Sequence, residues 1–123
     1  MRFFNSTKKT EVVGNLKIAE KFFERLKGLM FKKEIGDDYG LLIKQCDSIH
    51  MFFMKFPIDA IFLKTVFAGN NRNIYKVVKI IENIKPWRVS PVVNEADSVL
   101  EVKSGKSKNN ISVNDKLEEL EGI

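Results

Sequence analysis

Most of the side chains in this sequence that could do chemistry fall in one stretch, Ser48-Ile-His-Met-Phe-Phe-Met-Lys-Phe-Pro-Ile-Asp-Ala-Ile-Phe-Leu63. It carries the single histidine, His50, the thioether of Met54, the ammonium of Lys55 and the carboxylate of Asp59. Asp59 interrupts Ile58 to Leu63, a run otherwise apolar at both parities. Such a run reads as a central strand buried on both faces, which places Asp59 at or near the core. A carboxylate taken out of water without donors costs several kcal/mol or has its pKa raised, so Asp59 needs partners. Backbone N–H groups around the Pro57 turn could supply them, as could Arg25, Lys55 or Arg88, or a ligand.

A dyad of His50 and Asp59 depends on loop parity. A two-residue loop, Lys55-Phe56, would put both on one face, and a three-residue loop through Pro57 would separate them. Lys55-Phe56 lacks the Gly or Asn that two-residue hairpins favour, so the pattern argues against the dyad. No serine sits at a nucleophile elbow. Cys46, His50 and Met54 share strand parity and would offer soft donors to copper. Residues four apart on a strand lie about 13 Å apart, however, so no metal site is expected. Trp87-Arg88, between Pro86 and Pro91, forms a pinned aromatic and cationic wall. Glu101 is a second candidate for a buried carboxylate. Gly-rich phosphate loops and zinc-binding spacings are missing, and no cofactor is implied.

These side chains must be held by elements that the apolar spacing outlines. Glu11–Val13 and Leu16–Ile18 read as two strands around a Gly14-Asn15 turn. Ala19, Phe22, Phe23, Leu26, Leu29 and Met30 recur at three-and-four spacing, the core-facing stripe of an amphipathic helix, and Gly28 suits a left-handed C-terminal position. Gly40–Lys44, Ser48–Met54, Ile58–Phe67, Ile74–Ile84 and Ser98–Val102 are rich in β-branched and aromatic residues and read as strands. Gly69–Asn73 is a hairpin loop, and Lys116–Leu120 a last edge strand. One short amphipathic helix near the N-terminus followed by strands predicts a mainly β fold, an antiparallel barrel or sandwich.

Composition bounds the rest. The chain has 123 residues, 44% of them hydrophobic, with ten Phe, one Trp and one Cys. That length favours a single domain over 1–123, burying roughly two-thirds of its unfolded surface. One cysteine excludes an internal disulfide framework. The net charge of +5 leans to the first half and forms no dense stripe, so no specific nucleic-acid partner is expected. The first residues reach charge before an apolar run can form, and no stretch approaches the roughly 18 apolar residues that span a bilayer. The expectation is a cytoplasmic protein without membrane insertion.

Several of these residues recur in one order: Arg25-Leu-Lys-Gly-Leu-Met30, Gly40-Leu-Leu-Ile43, Met54-Lys-Phe-Pro-Ile-Asp59, Leu100-Glu101, Gly105 and Asp115. The order resembles domain-of-unknown-function family 192, small proteins of bacteria and archaea, over Leu16 to Leu120. The resemblance implies a compact, mostly β domain and no established activity. Its characteristic positions fall on Arg25, Gly28, Leu29, Met30, Gly40, Met54, Lys55, Pro57, Asp59, Leu100, Glu101, Gly105 and Asp115. The chain departs from the family pattern at Leu41, Ile43, Met51 and Asn114. Met51 stands where relatives carry a threonine hydroxyl.

Three functional readings follow. The first is a binding module for an unidentified small ligand, with candidate residues Asp59, Lys55, Arg88, Met54, Trp87 and His50, where Met and aromatic residues sit beside isolated charges. The second is an accessory domain docking on a larger protein partner. The third is an enzyme using Asp59 or Glu101 as a buried general base.

Overall fold

The computed structural model describes residues 1–70 and 72–121. It contains β1 (Arg2–Asn5), β2 (Thr10–Val13), β3 (Asn15–Ala19), α1 (Phe22–Lys27), β4 (Tyr39–Lys44), β5 (Ile58–Ala68), β6 (Asn73–Ile84), β7 (Ser98–Lys103) and β8 (Lys116–Leu120). The strands form one sheet in the order β2-β1-β8-β6-β5-β7-β4-β3. All neighbours are antiparallel except β3 and β4, which run parallel. The Leu16 N–H of β3 donates to the Met1 carbonyl beside β1 at 2.8 Å, so the sheet nearly closes into a barrel.

The apolar run of β5 lies between β6 and β7, with Ile58 to Leu63 all buried. Its two faces feed two cores. Ile61 and Leu63 join a cluster drawn from all eight strands, including Phe3, Tyr75, Leu100 and Leu117. Ile58, Ala60 and Phe62 join the other, with Leu41, Ile43, Val99, Leu29, Ile49, Met51 and Met54. The first cluster fills the barrel, and the second lies on its outside beneath chain segments that cross β4, β7 and β5. Glu101 sits opposite Leu41 and Ala60, on the outer face. Asp59 sits opposite Val102, on the inner face.

Four local expectations change. Val13 and Leu16 do not form a hairpin: β2 pairs with β1 and β3 with β4, because Gly14 hands the chain from one sheet edge to the other. Its N–H donates to Asp38 Oδ1 at 2.7 Å, and a Cβ there would meet Asp38 Oδ2 at 2.5 Å. β8 is internal, because β1, which the polar N-terminal sequence conceals, pairs on its far side. Ser48–Met54 is irregular, with one bridge from His50 to Val89. Its backbone bonds go to the Pro86–Ser90 segment: Met51 N–H to Arg88 O at 2.7 Å, Trp87 N–H to Met51 O at 2.8 Å and Ser90 N–H to Ile49 O at 2.9 Å.

The last change concerns the helix. It is six residues long and buries none of them: Phe22, Phe23 and Leu26 are 62%, 78% and 52% exposed. The apolar stripe therefore does not reach the core. Only its ends do, Ala19 through β3 and Leu29 after Gly28 turns the chain at φ +50°. The predicted hairpin between β5 and β6 is present, although Asn71 in its loop lies outside the described residues.

Candidate functional site

Where the chain leaves α1 and crosses the outer face of β7, it encloses a cavity of about 40 Å³. The floor carries Glu101, with Ile43 of β4 beside it. The roof is Arg25 to Met30, and the side wall is Cys46, Ser48, Ile49, His50 and Met54. Glu101 is 3% exposed, and its Oε1 has no hydrogen-bond partner. Removal from water pushes its carboxyl up to about 8, so at neutral pH it is mostly protonated. A Cβ at Gly28 would lie 3.5 Å from Glu101 Oε1. That is an ordinary contact distance, so it is the positive φ that calls for glycine, and a methyl group there would occupy space above the carboxyl.

The remaining donors around the cavity are largely occupied. The Cys46 thiol donates to the Ser48 carbonyl at 2.9 Å, and burial pushes it up, so it stays a thiol. His50 is held in one tautomer: the Phe52 N–H donates to Nδ1 at 3.2 Å, and Nε2–H donates to the Leu26 carbonyl at 3.1 Å. Because Ser48–Met54 is not a strand, Cys46, His50 and Met54 do share one cavity wall, contrary to the spacing argument. With the thiol protonated and both ring nitrogens engaged, they do not present a ready donor set to a metal. Arg25 donates through one terminal nitrogen to Gln45 at 3.3 Å and 3.4 Å, while its Nε is buried and unpaired.

The structure divides the residues named from sequence. His50 and Met54 line this cavity; Asp59, Lys55, Arg88 and Trp87 do not. Asp59 is fully buried on the inner face, where four donors converge on it. The Asn83 N–H reaches Oδ1 at 2.9 Å, and Gly105 N–H, Ser107 N–H and Ser107 O–H reach Oδ2 at 3.0, 3.1 and 2.6 Å. It thus ties β5 to β6 and to the 104–107 loop. Asp115 holds another junction, accepting from Asn5, Lys8 and Ser112 at 2.8, 2.7 and 2.9 Å. Lys55 and Arg88 extend into solvent.

Trp87 belongs to an exposed aromatic ledge. The Phe53 ring packs at a tilt against Trp87 at 4.9 Å and against Phe31 at 5.2 Å, and Phe52 lies 6.1 Å from Trp87. Phe31, Phe53 and Trp87 are 59%, 48% and 58% exposed. All three have left-handed backbones, with φ of 68°, 61° and 70°. Bulky side chains rarely accept that conformation, and here it turns each ring outward. A larger open depression of about 490 Å³ lies over Glu20, Lys44, Thr65, Asp97 and Ser98. Several of its polar groups are already engaged, Thr65 and Ser98 with Asp97 and Lys44 with Glu119.

A family model described as uncharacterized ACR, domain-of-unknown-function family 192, matches residues 4–119. The chain belongs to that family. A UPF0127 protein of Thermococcus sibiricus is 32% identical over 107 residues, covering 82% of this chain and 62% of that one. A UPF0127 protein of Pyrococcus horikoshii is 36% identical over 91 residues, covering 69% of each. This chain therefore spans less than two-thirds of the Thermococcus relative. A crystal structure of a protein of unknown function from Novosphingobium aromaticivorans shares the fold, with a TM-score of 0.73, 24% identity and coverage of 94% of this chain and 81% of that one.

The positions that carry the family-192 resemblance separate by location. Arg25, Gly28, Leu29, Met30, Met54 and Glu101 line the cavity. Asp59, Gly105 and Asp115 belong to the two polar latches. The cavity could be found in the sequence only by noticing that the Arg25–Met30 and Leu100-Glu101 motifs must meet, which depends on the fold. Among the described residues, no helix is long and apolar enough to cross a membrane.

Proposed function

We propose that this family-192 chain is a binding module whose site is the cavity over Glu101. The observation that carries the reading is a buried, unpartnered carboxyl facing a cavity that glycine keeps open. Folding alone does not favour that arrangement, because a buried polar group without a partner costs about 1–3 kcal/mol. Such a cost persists where the group has a partner that comes and goes. A volume of about 40 Å³ holds roughly three water-sized groups. The ligand, or the part of it that enters, is correspondingly small. A general-base role fits less well, since Glu101 keeps its proton at neutral pH.

Met30 and Met54 on the cavity wall are natural reporters. Methyl spectra of methionine-labelled protein, titrated with small anionic, neutral and cationic probes, should show both methyls moving with at least one probe. Glu101→Leu should abolish the response. Spectra unmoved by every class of probe would refute the reading.

The aromatic ledge favours a second function alongside the first, docking on a protein partner. Phe53 packs against both Phe31 and Trp87, all three rings face solvent from left-handed backbones, and Lys32, Lys33, Lys55, Lys85 and Arg88 flank them in sequence. That charge suits an acidic protein surface with an apolar centre. Binding should weaken with salt and be lost in Trp87→Ala with Phe53→Ala; binding that persists in the double variant argues against it. A cytoplasmic setting, with its reducing poise, suits the lone thiol of Cys46.

A further inference from the structure

Among the described residues, three buried side-chain polar atoms lack a hydrogen-bond partner: Arg2 Nε, Arg25 Nε and Glu101 Oε1. Arg25 and Glu101 line the same cavity. They are not paired with each other, although a carboxylate and a guanidinium in one cavity would ordinarily join. Both can instead donate. A guanidinium nitrogen is always a donor, and a carboxylic acid donates through its O–H. Leu29, Met30, Ile43, Ile49 and Met54 make much of the remaining lining apolar, beside Lys27, Cys46, Ser48 and His50.

We infer that the cavity receives the oxyanion of a small carboxylate, formate or acetate in size, between the Arg25 Nε–H and the carboxyl O–H of Glu101. This names the ligand class for the site proposed above and rests on that reading. The charge balance supports it. Arg25 and Lys27 face the cavity from the roof, while Cys46 is a thiol and both ring nitrogens of His50 are engaged with backbone groups. Tyr39 of β4 is close enough to feel Glu101 and is itself raised by burial. With Glu101 protonated, the surroundings are cationic and suit an anion. A carboxylic acid kept neutral by an apolar site is an effective donor to an oxyanion. The volume matches formate and is tight for an added methyl group, so affinity should fall from formate through acetate to butyrate.

Ionisation of Glu101 would turn this donor into a repelling charge. Between pH 7 and pH 9 it is the cavity carboxyl whose charge changes, being pushed up to about 8. Formate affinity should therefore fall about 10-fold over that range. The test is titration of formate, formamide and methylammonium into the full chain at pH 7 and 9, read on the Met30 and Met54 methyls. Glu101→Gln keeps an N–H donor without the charge change, so it should bind formate with no pH dependence. Glu101→Leu should not bind it.

Wild-type formate affinity that is flat or rising with pH, or methylammonium binding in preference to formate, overturns the oxyanion and leaves the cavity as a site. If no probe moves either methyl, both readings fall. Because Glu101→Gln is nearly isosteric, it keeps the test decisive even if Glu101→Leu folds poorly.

Discussion

Replacing Glu101 by leucine should stabilise the protein, by an amount that grows with pH. The ordinary glutamate value of 4.5 rises to about 8 in the folded state, with burial as the cause. Between those values the folded chain binds a proton that the unfolded chain has released, so stability falls as pH rises. The favourable contribution is complete below about pH 4.5 and gone above about pH 8. At about 1.4 kcal/mol per unit, the cost of Glu101 is under about 1 kcal/mol at pH 5 and about 3 kcal/mol at pH 7. The leucine variant carries no such cost, and Glu101→Gln none that varies with pH. Urea denaturation at pH 5, 6, 7 and 8 isolates this difference, since every other titrating group is common to the two chains. The gap between wild type and Glu101→Leu should widen by about 2–3 kcal/mol from pH 5 to pH 7, or about 1–2 M in midpoint. A gap that stays constant with pH would mean that the Glu101 carboxyl is ionised and solvated in the folded protein. The reasoning that starts from its burial would then be wrong.

Other positions give different signatures. Asp59→Ala leaves four donors without their acceptor, two of them on Ser107 buried and those of Asn83 and Gly105 part-buried, so stability from urea denaturation should drop by about 3–5 kcal/mol, while Ser107→Ala should lose only about 1–2 kcal/mol; a mild effect of Asp59→Ala would show that the latch is not structural. Gly28→Ala forces a Cβ onto a φ of +50° and toward Glu101; it should cost about 1–3 kcal/mol and silence the Met30 and Met54 response to formate, whereas unchanged binding would place the ligand elsewhere. At Asp115, burial acts to raise the carboxyl, but hydrogen bonds from Lys8, Asn5 and Ser112 outweigh it and hold the group below the usual range. Its stabilisation is present at neutral pH and lost as pH falls through that lowered value, so Asp115→Asn should be less stable than wild type at pH 7 and converge on it in acid. Trp87→Gly relieves a left-handed backbone at an exposed ring and should stay within about 1 kcal/mol of wild type, far from the 3–5 kcal/mol of a core aromatic; a core-sized loss would show that the ledge is packing rather than surface.

The Glu101 cavity and the Asp59 latch differ in how far they could be read from residues alone. Burial of Asp59 was legible, because a carboxylate inside a run apolar at both parities has nowhere else to go. Its partners were not, since Gly105 and Ser107 lie more than 40 residues away and reach it only because β5 and β7 pair. His50 and Met54 drew attention through their chemistry, and both line the cavity. Lys55, Arg88 and Trp87, their neighbours in sequence or character, point outward. The helix stripe misled because periodicity records which side chains share a face, and six residues of helix need not lay that face on the core.

The features legible from residues alone are local and pairwise. Alternating β-branched runs set strands, the two-sided apolar run marked the central strand, and ordered motifs marked the family. The order of strands in the sheet, the parallel β3–β4 pair and the internal place of β8 were decided by long-range closure. So was the meeting of Arg25, Gly28, Cys46, His50, Met54 and Glu101. Those contacts bring together three separate segments spread over 76 positions, from Arg25 to Glu101, and no local propensity encodes them. They exist because a nearly closed barrel leaves its outer face over β4, β7 and β5 to be covered by whatever chain crosses it.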